Sequence, residues 1–188
     1  GIGSIVAQLS QQGVDAVGTD LSREAIAYGR RKYPDARLEV APAERLPYED
    51  ASFDIVLSFD LFEHVAEINR HVAEVARILR PGGHYLFQTP NKFQNMLFET
   101  LSSRSLAWKR YHPSLHTPGQ LRTRLRSHGF RVRFERMNSM NAYASQKLRR
   151  LLGKAGEFLA GIDLSKLPLW LQTNLYVLAR RQSADDVG

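Results

Sequence analysis

An α/β fold built on a doubly wound, mostly parallel sheet is the architecture this sequence predicts, and three observations carry the prediction. Short apolar runs of strand length alternate with stretches of helical periodicity through the first ninety residues. Turn formers (Pro34-Asp35, Arg80-Pro81-Gly82-Gly83, Pro90) punctuate that alternation. An acidic residue, Asp20, stands at the end of the first strand-like run, 17 residues after Gly3 in a glycine-containing loop that leads straight into a helix.

The elements follow in order. Ile5 to Gln11 reads as a helix. Residues 14–19 (Val-Asp-Ala-Val-Gly-Thr) read as a strand ending at Asp20. Ser22 is placed to cap a helix running to about Tyr33, with Leu21 and Ile26 spaced as a hydrophobic staple. Residues 36–40 form a second short strand and 53–59 (Phe-Asp-Ile-Val-Leu-Ser-Phe) a third, buried one. From Val65 the apolar positions Ile68, Val72, Val75, Ala76 and Leu79 have helical spacing. Arg80 to Gly83 end that helix, and 84–89 form the next strand. Residues 93–110 are aromatic-rich and read as helical. Thr117-Pro-Gly-Gln120 has the composition of a capping box with proline at the first helical position. Leu121 and Leu125 then face inward, and Gly129 occupies a C-cap position. Phe130 to Met137 and Leu175 to Ala179 alternate as strands, and Tyr143 to Ala160 reads as a basic amphipathic helix.

Composition narrows the functional classes. With 188 residues and 43% apolar content the chain can bury one sizeable core, so a single domain is expected over 1–188. It divides into a half at 1–91 and a half at 92–188, the latter holding the basic helical stretch at about 143–170. No apolar run approaches the roughly 18 residues needed to cross a bilayer. The absence of cysteine excludes disulfides, thiolate metal sites and a cysteine nucleophile, and agrees with a cytoplasmic location. Charge is lopsided: residues 1–100 carry 10 Lys/Arg against 14 Asp/Glu, and residues 101–188 carry 16 against 5. A basic second half suggests an anionic partner or simply a solvated basic face.

The pairing of Gly1-Ile-Gly3 with Asp20 suits a nucleotide. Glycines let backbone approach a ligand at a helix start, and a strand-terminal carboxylate can accept hydrogen bonds from both ribose hydroxyls. A dinucleotide fingerprint needs a small third residue; Val6 or Ser4 would stand there, which disfavours nicotinamide and flavin dinucleotides.

An ordered series of pieces resembles the class I S-adenosylmethionine-dependent methyltransferases, particularly the branch of ubiquinone and menaquinone biosynthesis. The pieces are Gly1-Ile-Gly3, Gly18-Thr-Asp20-Leu-Ser22, Ala43-Glu-Arg-Leu-Pro47, Ser52-Phe-Asp-Ile-Val56, Glu63-His-Val65 and Arg77-Ile-Leu-Arg-Pro-Gly-Gly83. His116-Thr-Pro, Leu121 to Phe130 and Thr173 to Arg180 continue it. The resemblance implies a Rossmann-like sheet of seven strands with an antiparallel final strand, and S-adenosyl-L-methionine as cofactor. It implies that the loop at Gly1 and Gly3 holds the methionine part and that Asp20 and Leu21 hold the ribose side. Ala43 and Glu44 would lie beside the adenine, and Phe59 and Asp60 would line the methyl end. Pro42 stands where many relatives have an acidic residue. The leading part of the glycine motif and most or all of the family's first strand would precede residue 1. The chain is therefore expected to be a truncated copy with unpaired strand edges and low stability as written.

For an acceptor that must lose a proton, His64 beside Glu63 is the candidate catalytic base; it could instead cap the following helix or pack under the cofactor. His112, His116 and Tyr111 are candidate acceptor contacts, with Trp108 and Phe93 as further walls. His112 and His116 have the spacing of a metal pair, but Pro113 interrupts a helix between them and no third ligand is evident. The expected activity is methyl transfer to a small-molecule, lipid-linked or glycan-linked acceptor, on oxygen or carbon. Lys147, Arg149, Arg150 and Lys154 interleave with Leu148, Leu151, Leu152, Phe158 and Leu159, a pattern that fits peripheral contact with an anionic membrane or a lid on the domain. A nucleotide-binding relative without catalysis is the alternative. A nucleic-acid methyltransferase is disfavoured, because Ser58-Phe-Asp-Leu61 stands where amino-methylating DNA enzymes carry an Asn/Asp-Pro-Pro-Tyr/Phe pattern.

Overall fold

The computed structural model describes residues 1–96, 113–137 and 163–183, together with Gln146, Arg149, Arg150, 153–158, Gly161 and Asp186. Its elements run α1 (Ser4–Gln11), β1 (Val17–Asp20), α2 (Arg23–Lys32), β2 (Arg37–Val40), β3 (Phe53–Phe59), a 3₁₀ turn (Phe62–His64), α3 (Ile68–Ile78) and β4 (Leu79–Pro90). Then come α4 (Pro118–Arg126), β5 (Phe130–Glu135), two short 3₁₀ turns and β6 (Asn174–Arg181). Strand β1 pairs in parallel with β2, and β3 in parallel with β4. Strand β6 enters antiparallel between β4 and β5. The class is therefore mixed α/β with parallel pairs and an antiparallel last strand, and a βαβ crossover within each parallel pair brings its two strands to a shared carboxyl end.

Local chemistry accounts for most boundaries. The Ser22 hydroxyl accepts from the Ala25 amide at 3.0 Å and starts α2. A complete capping box starts α4: the Thr117 hydroxyl accepts from the Gln120 amide, and the Gln120 side chain accepts from the Thr117 amide. Leu121 and Leu125 are fully buried beneath it. The main core joins α3 and α4 to the four-stranded sheet through Phe62, Val72, Val75, Leu79, Tyr85, Phe87, Phe130 and Leu175, among others. Burying each large apolar side chain contributes roughly 1.5–3 kcal/mol. A smaller cluster of Ala7, Ile26, Ala36 and Leu38 packs α1 and α2 on the two-stranded sheet.

Three expectations are corrected. Leu21 is 72% exposed while Ile26 is buried, so the proposed staple does not close; Leu21 lies at the carboxyl edge, turned away from α2's buried face. Helix α3 begins at Ile68 rather than Val65, because Phe62–His64 form a 3₁₀ turn first. Arg80 to Gly83 do not separate helix from strand. The strand already begins at Leu79, and the positive φ of Gly82 (82°) accompanies a register shift against β3. The described residues form six strands in sheets of two and four, mostly parallel with an antiparallel last strand, as expected. The outer edge of β3 has no strand partner among the described residues, and Ile55, Leu57 and Phe59 on that strand are exposed. Gln146, Arg149, Arg150 and 153–158 of the expected basic stretch are helical; the remainder of 143–160 lies outside the described residues.

Candidate functional site

The site is assembled at the carboxyl edge, beginning with the glycine loop. Gly3 takes φ 83°, and a Cβ there would stand 2.6 Å from the Leu38 methyls, so both conformation and contact require glycine. The loop consequently lies directly over β2. It also touches α2, where a Cβ on Gly29 would run into the Ile2 carbonyl. Asp20 ends β1 beneath the loop. Its Oδ1 accepts from the Ser22 amide at 2.8 Å, and its Oδ2 contacts the Gly1 amino nitrogen. The glycine loop and the carboxylate singled out by the sequence are thus side by side. Leu21, next in the chain, presents its apolar side chain to solvent.

The second wall is the loop after β2, with Ala43 and Glu44, and α3 holds it through three side chains one turn apart. His71 Nδ1 lies 2.9 Å from the Ala43 carbonyl, and its Nε2 lies 3.0 Å from the Tyr85 hydroxyl, which is itself 2.7 Å from Ser58 Oγ. The carbonyl can only accept, so His71 carries its proton on Nδ1 and accepts from Tyr85, whose oxygen takes the Ser58 proton. Burial drives the His71 pKa down, which keeps the ring neutral and the chain of bonds intact. One turn on, Glu74 accepts from the Leu46 amide at 2.7 Å. Arg77 then donates to the Leu46 and Tyr48 carbonyls and pairs with Glu74 and Asp50. Hydrogen bonding to Arg77 holds the Glu74 carboxyl below its usual range. Sequence reading gives none of these three residues, nor Gly29, a role here, and outside α3 their partners lie 14 to 31 positions away.

The third wall follows β3. Phe59 is half exposed, and Asp60 takes φ 49° with its amide on Gln88 Oε1 at 3.3 Å. A non-glycine residue in the left-handed region is costly, of order 1–3 kcal/mol, and such residues cluster at functional sites. Phe62 then stacks on Phe87 at 4.7 Å and plugs the core. Glu63 is buried, accepting from Thr89 Oγ1 at 3.0 Å. Its other carboxylate oxygen lies 3.9 Å from Nε2 of His64, whose side chain is about half exposed. A half-exposed imidazole backed by a buried carboxylate can accept a proton from a group presented at this edge.

His116 lies one layer further out. Its Nδ1–H donates to the Ser114 carbonyl at 2.6 Å, and its Nε2 accepts from Arg124 Nε at 3.0 Å. Burial, then the charges of Arg124 and Lys92, depress its pKa to about 4. Both ring nitrogens are therefore engaged, and any contact with an acceptor passes through Arg124. His112, Tyr111 and Trp108 lie outside the described residues, and Phe93 is exposed.

Comparison with known proteins agrees with this geometry. Residues 1–87 match the family described as "Methyltransferase domain". A demethylmenaquinone methyltransferase of Beutenbergia cavernae is 39% identical over 94 residues, covering 48% of this chain and 39% of that protein. The phthiotriol/phenolphthiotriol dimycocerosates methyltransferase 1 of Mycobacterium ulcerans is 40% identical over 72 residues, covering 37% of this chain and 27% of that protein. The matches thus span less than half the length of these curated relatives. In fold, the chain is similar to an S-adenosylmethionine-dependent methyltransferase from Mesorhizobium loti, with a TM-score of 0.67 and 22% identity over 96% of this chain and 87% of the other. Residues 1–87 thus match a methyltransferase domain, and the chain shares the fold of a solved S-adenosylmethionine-dependent methyltransferase.

Proposed function

We propose that this chain binds S-adenosyl-L-methionine across the carboxyl edges of β1 to β4 and transfers its methyl group to a small-molecule or lipid-linked acceptor. What supports this best is that the Gly1–Gly3 loop lies beside Asp20 and that Asp20, the Ala43–Glu44 loop and Phe59-Asp60 each stand at or just after the carboxyl end of a parallel strand. The residues fit such a cofactor. An ionised carboxylate offers about four lone-pair sites, and at Asp20 the described partners of its two oxygens are the Ser22 amide and the Gly1 nitrogen, so ribose hydroxyls can be accepted. Exposed Leu21 and the immobilised Ala43–Glu44 loop offer an apolar face and a carboxylate to an adenine. The half-exposed Phe59 and Asp60 suit the methionine and methyl end.

When bound, the sulfonium supplies an already activated methyl group. The residues of the chain then need to orient an acceptor, exclude water and receive a proton. Orientation alone can lower a barrier by roughly 7–11 kcal/mol. His64 Nε2 is the proton acceptor in this reading, and the buried Glu63 carboxylate stabilises the resulting imidazolium. Tyr111, His112 and His116 belong to the acceptor side. That relatives are demethylmenaquinone and phthiotriol methyltransferases supports a quinone-type or lipid-linked acceptor. The basic stretch at about 143–170 is assigned to the anionic surface that presents them. No helix among the described residues is long and apolar enough to cross a membrane.

Transfer of a tritiated methyl group to quinone-type phenols and lipid-linked sugars tests the reading. His64→Ala should lower kcat by about 10²–10⁴ with unchanged cofactor affinity. Equal turnover in that variant would remove the assigned base, and no transfer to either acceptor class by cofactor-loaded protein would remove the acceptor class.

A further inference from the structure

Several arginines of the described fold are answered by acids. Arg37 pairs with Asp15, Arg70 with Glu67, Arg77 with Glu74 and Asp50, and Arg80 with Asp54. Arg124 is held differently. Its Nε donates to His116 Nε2 and its Nη1 to Asn69 Oδ1, both neutral acceptors, and no carboxylate among the described residues lies within ion-pair distance of it. Three of its five N–H donors, including both on Nη2, have no described protein acceptor. The guanidinium is nevertheless fixed in orientation, because the His116 ring is itself pinned through Nδ1 to the Ser114 carbonyl.

This guanidinium opens into a cleft of about 810 Å³ between the start of α3 and the outer face of α4, lined by Lys92, Asn69, His116, Gly119, Gln120 and Arg124 among others. Among the described residues no acidic side chain lines it; Glu67, which borders the adjoining pocket that Arg124 also lines, is paired with Arg70. Lys92, like Arg124, has no carboxylate partner among the described residues, and its charge is felt at His116. The first turn of α4, with its partial positive charge, borders the same space at Gly119 and Gln120. Two cations without a carboxylate partner among the described residues, one of them rigid and fork-shaped, beside a helix start, form a receptor for an oxyanion.

The cleft is also tied to the acceptor side. The Ser114 amide donates to the Glu63 carbonyl at 3.0 Å and the Lys92 amide to the His116 carbonyl at 3.1 Å. The 113–116 loop therefore rests on the 3₁₀ turn that carries Glu63 and His64. We propose that Arg124 and Lys92 form an oxyanion site that anchors a phosphate or carboxylate group of the acceptor, an assignment that rests on the methyltransferase reading above. A neutral His116, its pKa depressed to about 4, keeps the Arg124 contact through the working pH range.

The test is titration of inorganic phosphate, and separately of acetate, into isotope-labelled protein at constant ionic strength, following the Gly119 amide and the Arg124 Nε–H by NMR. S-adenosylhomocysteine is titrated into the same samples. Saturable shifts are expected at both signals. Lys92→Gln should weaken binding about tenfold, Arg124→Gln should abolish the Gly119 response, and the tighter of the two anions identifies the acceptor's group. Shifts that never saturate, or that saturate identically in Lys92→Gln and Arg124→Gln, overturn the site. Because the two variants lie on different elements, a local disturbance of α4 in one leaves the other decisive. Intact S-adenosylhomocysteine binding without anion binding removes this proposal alone. Anion binding without S-adenosylhomocysteine binding removes the cofactor reading, and with it the assignment of the anion to an acceptor.

Discussion

Replacing His116 by glutamine should flatten the acid side of this protein's stability profile. The ring is buried, its Nε2 accepts from Arg124, and its pKa falls from 6.5 to about 4, chiefly through burial. Below pH 6.5 the unfolded chain binds a proton that the folded chain refuses, so stability declines as pH falls from about 6.5 toward 4. At about 1.4 kcal/mol per pH unit, roughly 2 kcal/mol is lost between pH 6.5 and 5. That is a large share of the roughly 5–15 kcal/mol typical of a domain. Glutamine can still accept from Arg124 through its amide oxygen but does not titrate in this range. His71, also shifted downward by burial, remains in the variant and keeps part of the slope. Urea unfolding at pH 7, 6 and 5 measures the effect: the parent should lose about 2 kcal/mol more than His116→Gln on going from pH 7 to 5. Losses that agree within about 0.5 kcal/mol would refute the buried, neutral, Arg124-bound histidine.

Other consequences are as direct. Asp60→Gly relieves a left-handed φ of 49°, so the variant should gain up to about 1 kcal/mol in unfolding free energy while binding S-adenosylhomocysteine more weakly; a loss of stability would contradict the strain argument. His71→Leu leaves the Ala43 carbonyl without its imidazole donor, at a cost of about 1–3 kcal/mol, and the freed loop should raise the cofactor Kd several-fold. Unchanged affinity in a folded variant would separate α3 from the site. The β3 edge, which has no strand partner among the described residues and exposes Ile55, Leu57 and Phe59, predicts hydrophobic-dye binding that Leu57→Lys reduces; equal dye binding by both proteins would contradict it. Reversing charge at Arg149 and Arg150 should lower co-sedimentation with anionic liposomes, and unchanged binding would detach the basic stretch from any membrane role.

Features decided within one turn of chain were legible in the sequence. Ser22, Thr117 with Gln120, and the buried Val72 and Val75 face of α3 follow from spacing alone, because their partners are three to four residues away. The juxtaposition of the Gly3 loop with Asp20 was legible too, since a strand and its neighbouring helix start must share an edge. What joins distant segments was not. The Ser58–Tyr85–His71–Ala43 chain crosses β3, β4, α3 and a loop, and nothing in any one of those stretches marks it. His116 looked like a free ligand until Arg124, eight residues away on α4, was seen to occupy it. Leu21 failed as a staple because the carboxyl edge leaves it exposed. The passage of β4 through Arg80 to Gly83 depends on pairing with β3, which local turn signals cannot report.

Calorimetric titration of S-adenosylhomocysteine into the folded chain and into Asp20→Ala tests the central claim most directly. Micromolar binding by the parent, weakened at least tenfold by Asp20→Ala, is the predicted result. Absence of binding by well-folded protein, or equal affinity in both proteins, would contradict a cofactor site at the carboxyl edge of β1.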